Sequence, residues 1–366
     1  MKKILVVFGT RPEAVKMCPL VNVITHSNSF QCVVCVTGQH NEMLSEVLNS
    51  FKLTPKYNLA VMKPGQSLSD ITVEILSKFG DVLDEERPDI VLVHGDTTTA
   101  FASALACFYK KIPVGHIEAG LRSFDLSSPF PEEFNRRVVD ILSEYYFAPT
   151  EANRQILLKE GCPEERVFVT GNTGIDAFKF TLDSKFSHPL LDWAKDSRLV
   201  ILTAHRRENL GEPMRAMFRA IARVLEEHND VKIVYPVHLN PAINECFPKN
   251  FISHERIKVV GPMNILDFHN FLSQSYMILT DSGGIQEEAA FLGKPVIVMR
   301  DTTERHEGIS ANVLKLVGTK EESIYKAFSQ LLKDKKVYKD MCCNTNLYGD
   351  GKASERIVKI LMENLG

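Results

Sequence analysis

The sequence predicts an α/β protein made of two doubly wound, Rossmann-like units, and three observations carry that expectation. Short apolar runs alternate with longer segments of helical character, the signature of βαβ units around a parallel sheet. The series of runs breaks once near the middle of the 366 residues, and at roughly 100–200 residues per domain such a length favours two domains. The composition, 44% hydrophobic and 24% charged, is that of an ordinary globular chain and excludes disorder, collagen and coiled coil.

In the first half the runs are Ile4–Phe8, Cys32–Val36, Ile90–Val93, Val114–Ile117, Tyr145–Ala148 and Val167–Val169. In the second they are Leu199–Leu202, Lys232–Tyr235, Ile257–Val260, Met277–Leu279, Val296–Val298 and Val313–Leu316. The break, Phe180–Arg198, is polar and holds Pro189 and the single tryptophan, Trp193, so it is the expected linker. Domains are therefore expected over 1–180 and 195–351. Beyond them, Ile357, Ile360, Leu361 and Leu365 recur at helical spacing, which predicts an amphipathic helix that docks on the rest.

Charge and cysteine usage narrow the function classes. With 43 Lys+Arg against 46 Asp+Glu the net charge is −3, without the basic excess of a nucleic-acid binder. No segment approaches the roughly 18 apolar residues that span a membrane, and the run after Met1-Lys2-Lys3 is too short for a signal peptide. Eight scattered cysteines in a chain too large to need disulfide staples fit a reducing cytoplasm. Cys32 and Cys35 have CxxC spacing, but they lie inside an apolar run that points them to opposite faces, which reads as packing. Cys342-Cys343 lacks a second pair, and no HExxH or comparable ligand spacing occurs, so no metal is expected.

In open α/β sheets ligands bind beyond the carboxyl ends of the strands, so the residues just after each run are the candidates for chemistry. After the first run, Gly9-Thr10-Arg11-Pro12-Glu13 makes a capping-box pattern with proline at the first helical position. That helix start, with Arg11 and Lys16, is an expected anion site. Neither GxGxxG nor GxxxxGK[ST] is present, which counts against a nicotinamide dehydrogenase and a P-loop ATPase. The third and fourth runs end in His94-Gly95-Asp96 and His116-Ile117-Glu118, and Pro131-Glu132-Glu133 opens a later helix. Asp96, Glu118 and Glu132 are thus three candidate acids on one rim, as proton transfer between opposed protonation states requires. Each also has a structural explanation: Asp96 as a helix cap, Glu118 as a partner of Arg122, and Glu132 at a helix start.

In the second half His205, beside Arg206 and Arg207, is placed to meet an anion. Ser282-Gly283-Gly284 opens a helix and offers backbone N–H groups to a phosphate, with Glu288 one turn inside for ribose hydroxyls and Arg305 after the next strand for the same anion. The residues alone indicate an anionic, nucleotide-bearing ligand opposite three acids and leave the reaction open.

Taken together, GTRPEAVKM, HGDTTT, HIEAGLRS, PFPEEFNRR, VTGNTGIDA, AHRREN, YPVHLNP, DSGGIQEEA and GKPVIVMRDTTER resemble the non-hydrolysing UDP-N-acetylglucosamine 2-epimerase family. The resemblance covers nearly the whole chain. It implies a fold like that of the B-type glycosyltransferases, with two domains facing a cleft, a UDP-binding second domain, and the last helix (352–366) crossing back to the first. It also implies a homodimer and reversible conversion of UDP-GlcNAc to UDP-ManNAc for surface polysaccharides. The implied route is anti elimination of UDP to 2-acetamidoglucal and re-addition, without a cofactor. Carried over by position, the substrate contacts are Arg11, Lys16, Asp96, Glu118, His205, Met263, Phe268, Ser282, Gly283, Gly284, Glu288 and Arg305, and the residues most tied to catalysis are Asp96, Glu118, Glu132 and His205. Some bacterial members bind a second UDP-GlcNAc as activator; the matching positions are Gln39, His40, Arg207 and His238. This chain departs from the family at His306, commonly proline, at Met263, often glutamine, and at Asn41, often basic. The competing expectations are an epimerase of another UDP-2-acetamido sugar, a sugar transferase of the same architecture, and a non-catalytic nucleotide-sugar sensor.

Overall fold

Strands that are covered by helices on both faces must be apolar along their whole length, and all twelve apolar runs form parallel strands. The computed structural model describes residues 1–38, 41–63, 65–237, 241–248, 251–342 and 346–365. It divides into a first unit, residues 1–180 and 348–366, and a second, residues 181–347.

The first unit holds β1 (Lys2–Phe8), β2 (Phe30–Val36), β3 (Tyr57–Asn58), β4 (Ile90–His94), β5 (Val114–Ile117), β6 (Tyr145–Ala148) and β7 (Val167–Val169). Their order across the sheet is β3-β2-β1-β4-β5-β6-β7. Only β3 had no run to announce it, since two residues at a sheet edge leave no apolar pattern. The second unit holds β8 (Arg198–Thr203), β9 (Val231–Pro236), β10 (Ile257–Val260), β11 (Met277–Thr280), β12 (Val296–Val298) and β13 (Leu314–Leu316), in the order β10-β9-β8-β11-β12-β13.

In each sheet the strand order reverses direction at the first strand. The loops that follow β1 and β4, and those that follow β8 and β11, therefore flank the point where a doubly wound sheet opens a crevice. Among the described residues, every sequence-derived candidate except Glu132, Met263, Phe268 and Arg305 lies on, or just inside the helix that follows, one of these loops or the neighbouring loop after β5.

The helix Ala353–Leu365 belongs to the first unit and packs against the helices Arg11–His26 and Thr173–Asp176. Its buried stripe is Ile357, Val358 and Leu361, with Ile360 and Leu365 half-buried. The Asp176 carboxylate accepts hydrogen bonds from the first two amides of this helix, Ala353 N at 3.1 Å and Ser354 N at 2.6 Å. The stretch before β8 is not an open connection. It contains the helix Pro189–Ala194, and Lys232 Nζ donates to the Trp193 carbonyl at 2.5 Å while lying 4.9 Å from the indole ring. Both thiols of the Cys32/Cys35 pair are pushed up by burial, to about 11 and about 12, as inert packing groups would be. No helix among the described residues is long and apolar enough to cross a membrane.

Candidate active site

At the first switch point the backbone is tied down by one buried carboxylate. Thr10 caps the helix Arg11–His26 and forms a capping box with Glu13. Glu13 Oε2 accepts from Gly9 N (3.1 Å), Thr10 N (2.8 Å) and Thr10 Oγ1 (2.7 Å), while Oε1 accepts from Thr97 Oγ1 at 2.8 Å. One side chain thereby joins the loop after β1 to the loop after β4. Burial pushes its pKa up, and the four donated hydrogen bonds oppose that shift. Gly9 is sterically obligatory, because a Cβ there would lie 2.1 Å from Thr37 Oγ1 and 2.5 Å from Thr99 Oγ1. Arg11 is the first residue of the helix and half-buried; Lys16 points from its second turn toward β5.

Glu118 follows β5 in the left-handed region, φ +70°, and is 8% exposed. Its Oε1 accepts from Lys16 Nζ and, at 3.2 Å, from Asn172 Nδ2; its Oε2 lies 3.9 Å from His94 Nε2. Gly95, at φ +63°, passes beneath it, so that a Cβ on Gly95 would meet Glu118 Oε2 at 3.2 Å. Asp96 follows directly and pairs with Arg136, whose Nε donates at 3.1 Å; Asn135 Nδ2 donates to the Asp96 carbonyl at 2.9 Å. Arg136 also binds Glu133 Oε2 at 3.2 Å, and Glu133 accepts from Ser123 N and Phe124 N. Glu132 is the first residue of the same helix, Glu132–Leu142. The loops after β4, β5 and β7 and this helix thus form one connected carboxylate edge.

Two structural explanations for the acids are not the ones the structure uses. The helix Thr98–Tyr109 is capped by Thr97, which accepts from Ala100 N at 3.0 Å, and not by Asp96. Arg122 binds Asp140 and Glu160, each at 2.6 Å, and not Glu118. Behind them His116, fully buried, bonds Asp140 Oδ1 through Nδ1 (2.6 Å) and the Gly95 carbonyl through Nε2 (2.9 Å), which fixes the peptide on which Asp96 stands.

In the second unit Asp281 plays the organising part that Glu13 plays in the first. Fully buried, its carboxylate accepts from His205 N (3.0 Å), Arg206 N (3.0 Å) and Asn209 Nδ2 (3.1 Å), holding the loop after β8 against the loop after β11. Tyr235 Oη pins the same loop through the Ala204 carbonyl at 2.6 Å. The His205 ring stays 40% exposed, its Nδ1 3.5 Å from Asp281 Oδ1. Ser282 is the N-cap of the helix Gly283–Phe291 and makes no side-chain capping bond; a Cβ on Gly284 would face open space. Glu288, in this helix, lies 3.9 Å from His269 Nε2.

Arg305 packs over Gly283, where an added Cβ would meet Nη1 at 3.0 Å, and binds Glu287 at 2.8 Å and Glu304 at 3.3 Å. Against the cost of burial, the Arg305 and Arg300 charges hold Glu304 down at about 2. Met263 and Phe268 are half-buried, before and within the helix Ile265–Gln274. Gln39, His40 and His238 lie outside the described residues, and Arg207 begins the short turn Arg207–Asn209. Among the described residues no group of three or more His, Cys, Asp or Glu is arranged to hold a metal.

Sequence reasoning did not single out Asn172, Arg136, His94 or Asp281. Asp281 stands directly after β11 and Asn172 in the loop that follows β7, so the strand-end rule was signal enough. Arg136 and His94 lie beside groups remote in sequence, Asp96 and Glu118, which spacing does not reveal.

The sequence profile of the UDP-N-acetylglucosamine 2-epimerase family matches residues 22–362. The chain belongs to that family. It is 51% identical over 364 residues to a Bacillus subtilis UDP-N-acetylglucosamine 2-epimerase, covering 100% of this chain and 96% of the relative. The S. aureus protein MnaA, solved with UDP, is 48% identical with a TM-score of 0.95, and the match covers 100% of this chain and 97% of that one. The Neisseria meningitidis UDP-GlcNAc 2-epimerase, solved with UDP-GlcNAc bound, is 45% identical with a TM-score of 0.93, over 99% of this epimerase-family chain and 100% of that one.

Gly95→Ala tests the close passage beneath Glu118. A left-handed non-glycine residue costs about 1–2 kcal/mol, so the variant is expected to melt several degrees lower than wild type in a calorimetric scan. An unchanged melting temperature would show that this backbone is not constrained.

Proposed function

We propose that this member of the family interconverts UDP-GlcNAc and UDP-ManNAc by epimerisation at C2 through elimination and re-addition of UDP. What carries this reading is the buried Glu118 carboxylate on the same connected edge as Asp96 and Glu132, a placement suited to proton transfer. C2 is not adjacent to a carbonyl, so its hydrogen becomes acidic only as UDP departs from C1. The C1–O bond breaks with its electron pair leaving on the diphosphate, one carboxylate takes the C2 proton, and C1=C2 forms. Return of a proton to the opposite face from another carboxyl group, with UDP adding again at C1, gives the epimer. The sequence of steps is redox-neutral and uses no electron carrier.

Within it Asp96, Glu118 and Glu132 are the proton-handling groups. Arg11, Lys16, His205, Arg305 and the Ser282–Gly284 helix start hold the diphosphate, where charge develops in the transition state. Glu288 takes the ribose hydroxyls, and Met263 and Phe268 lie beside the base. The relatives solved with UDP and with UDP-GlcNAc support this substrate class.

The working unit in this proposal is a homodimer in the cytoplasm. Phe108 and Tyr109, at the end of one helix, and Phe134 and Ile141, on the helix packed beside it, are exposed, with Ile141 at 79%. Large apolar side chains grouped on adjoining helices are the kind of surface a second copy covers.

Incubated with UDP-GlcNAc in deuterated water, without nicotinamide or a sugar acceptor, the protein is expected to place deuterium at C2 and to form UDP-ManNAc, followed by proton NMR. Stoichiometric UDP release that depends on an added acceptor would instead establish a sugar transferase, and binding without exchange would establish a sensor. Ile141→Glu is expected to shift the sedimentation coefficient from that of a dimer to that of a monomer; a wild type that is already monomeric contradicts the assembly.

A further inference from the structure

His94 ends β4 in the interior of the first unit, 4% exposed, and its Nε2 has no hydrogen-bond partner. A buried polar atom left unmade costs about 1–3 kcal/mol, so its persistence asks for a reason. The nearest charged group is the Glu118 carboxylate, Oε2 at 3.9 Å, too far for a hydrogen bond and close enough to become one by a small rotation. Its other oxygen is held by Lys16 and Asn172.

We propose that His94 is a positioning residue for Glu118, a neutral imidazole whose Nε2–H takes over the carboxylate when Lys16 turns from it to the diphosphate of the substrate. This rests on the reading above, in which Lys16 contacts that anion and Glu118 handles a proton. Hydrogen bonds of this kind are commonly long in the unliganded enzyme and tighten in the complex. The titratable groups facing His94 are Glu118, Lys16 and His116; Asp96 is one residue beyond Gly95 and is paired with Arg136. Burial, together with Lys16 and His116, outweighs the attraction of Glu118 and pushes the imidazole down to about 3, so it is neutral above that pH and serves as a donor without adding charge. With it, an ionised Glu118 exchanges the Lys16 donor on one oxygen for the His94 donor on the other.

The sign of the effect follows. A donor to the carboxylate favours its ionised form and lowers its pKa. In His94→Phe the acid limb of the kcat profile moves to higher pH by half a unit or more, kcat falls about tenfold or more, and KM stays within about twofold. His94→Gln, which keeps a donor, restores at least half of kcat. Equal kcat and limb position in wild type and His94→Phe would overturn the assignment, as would equal losses in both variants, which a packing role alone produces. Independently of any variant, nitrogen-15 NMR of histidine-labelled wild type is expected to show the neutral Nε2–H form of His94 from pH 5 to 8. Its proton resonance should move downfield on adding UDP; an unprotonated Nε2 overturns the proposal. Absence of C2 exchange by the wild type would sink the epimerase reading itself, whereas exchange with an indifferent His94 sinks only this inference.

Discussion

Taking the Glu118 carboxylate out of water costs on the order of several kcal/mol unless its charge is met, and the fold meets it with Lys16 from the helix after β1 and Asn172 from the loop after β7. Those contacts join loops from strands at the centre and at the edge of a seven-stranded sheet. A buried pair of this kind is weak evidence for stability, since an apolar pair of similar volume often does as well. Its value lies in orientation. It fixes a carboxylate in a left-handed backbone position above Gly95, next to the residue that carries Asp96.

Around that pair the two units solve one problem twice. Each has a parallel sheet whose strand order reverses at its first strand, and each spends a fully buried carboxylate on joining the loops at the reversal: Glu13 in the first, Asp281 in the second. Both groups bind backbone amides that would otherwise point into the loops unsatisfied, so the candidate ligand-binding groups stand on rigid turns. The chemistry proposed for the first unit is proton transfer, and its edge is rich in carboxylates held by cations. The chemistry proposed for the second is anion binding, and its turn offers an uncapped helix start at Ser282.

Much of this was legible in the sequence because apolar strands and strand-end polar residues leave local patterns. The capping box of Thr10 and Glu13 could be read from three-residue spacing and is present. The pairing of Glu118 could not: Arg122 stands four residues away and was the natural partner, yet it serves Asp140 and Glu160, while Lys16 comes from 102 residues earlier. A cap was the structural alternative to an acid role for Asp96, and the neighbouring threonine does that work instead. The stretch 180–198 looked like a linker because it is polar, but polarity does not reveal that Lys232 covers Trp193. Sequence patterns show where polar groups emerge from a sheet; which of them meet is decided by strand order, and strand order is a property of the folded chain.

The central claim is that Glu118 handles a proton at C2 and is held in readiness by Lys16. Isotope exchange at C2 and UDP binding, measured together on Glu118→Gln, test it most directly, because the amide keeps the shape and removes the proton chemistry. Exchange is expected to fall by at least ~100-fold, while UDP binds as well as to wild type or more tightly, since Lys16 is released to the diphosphate. Exchange at the wild-type rate would contradict the account.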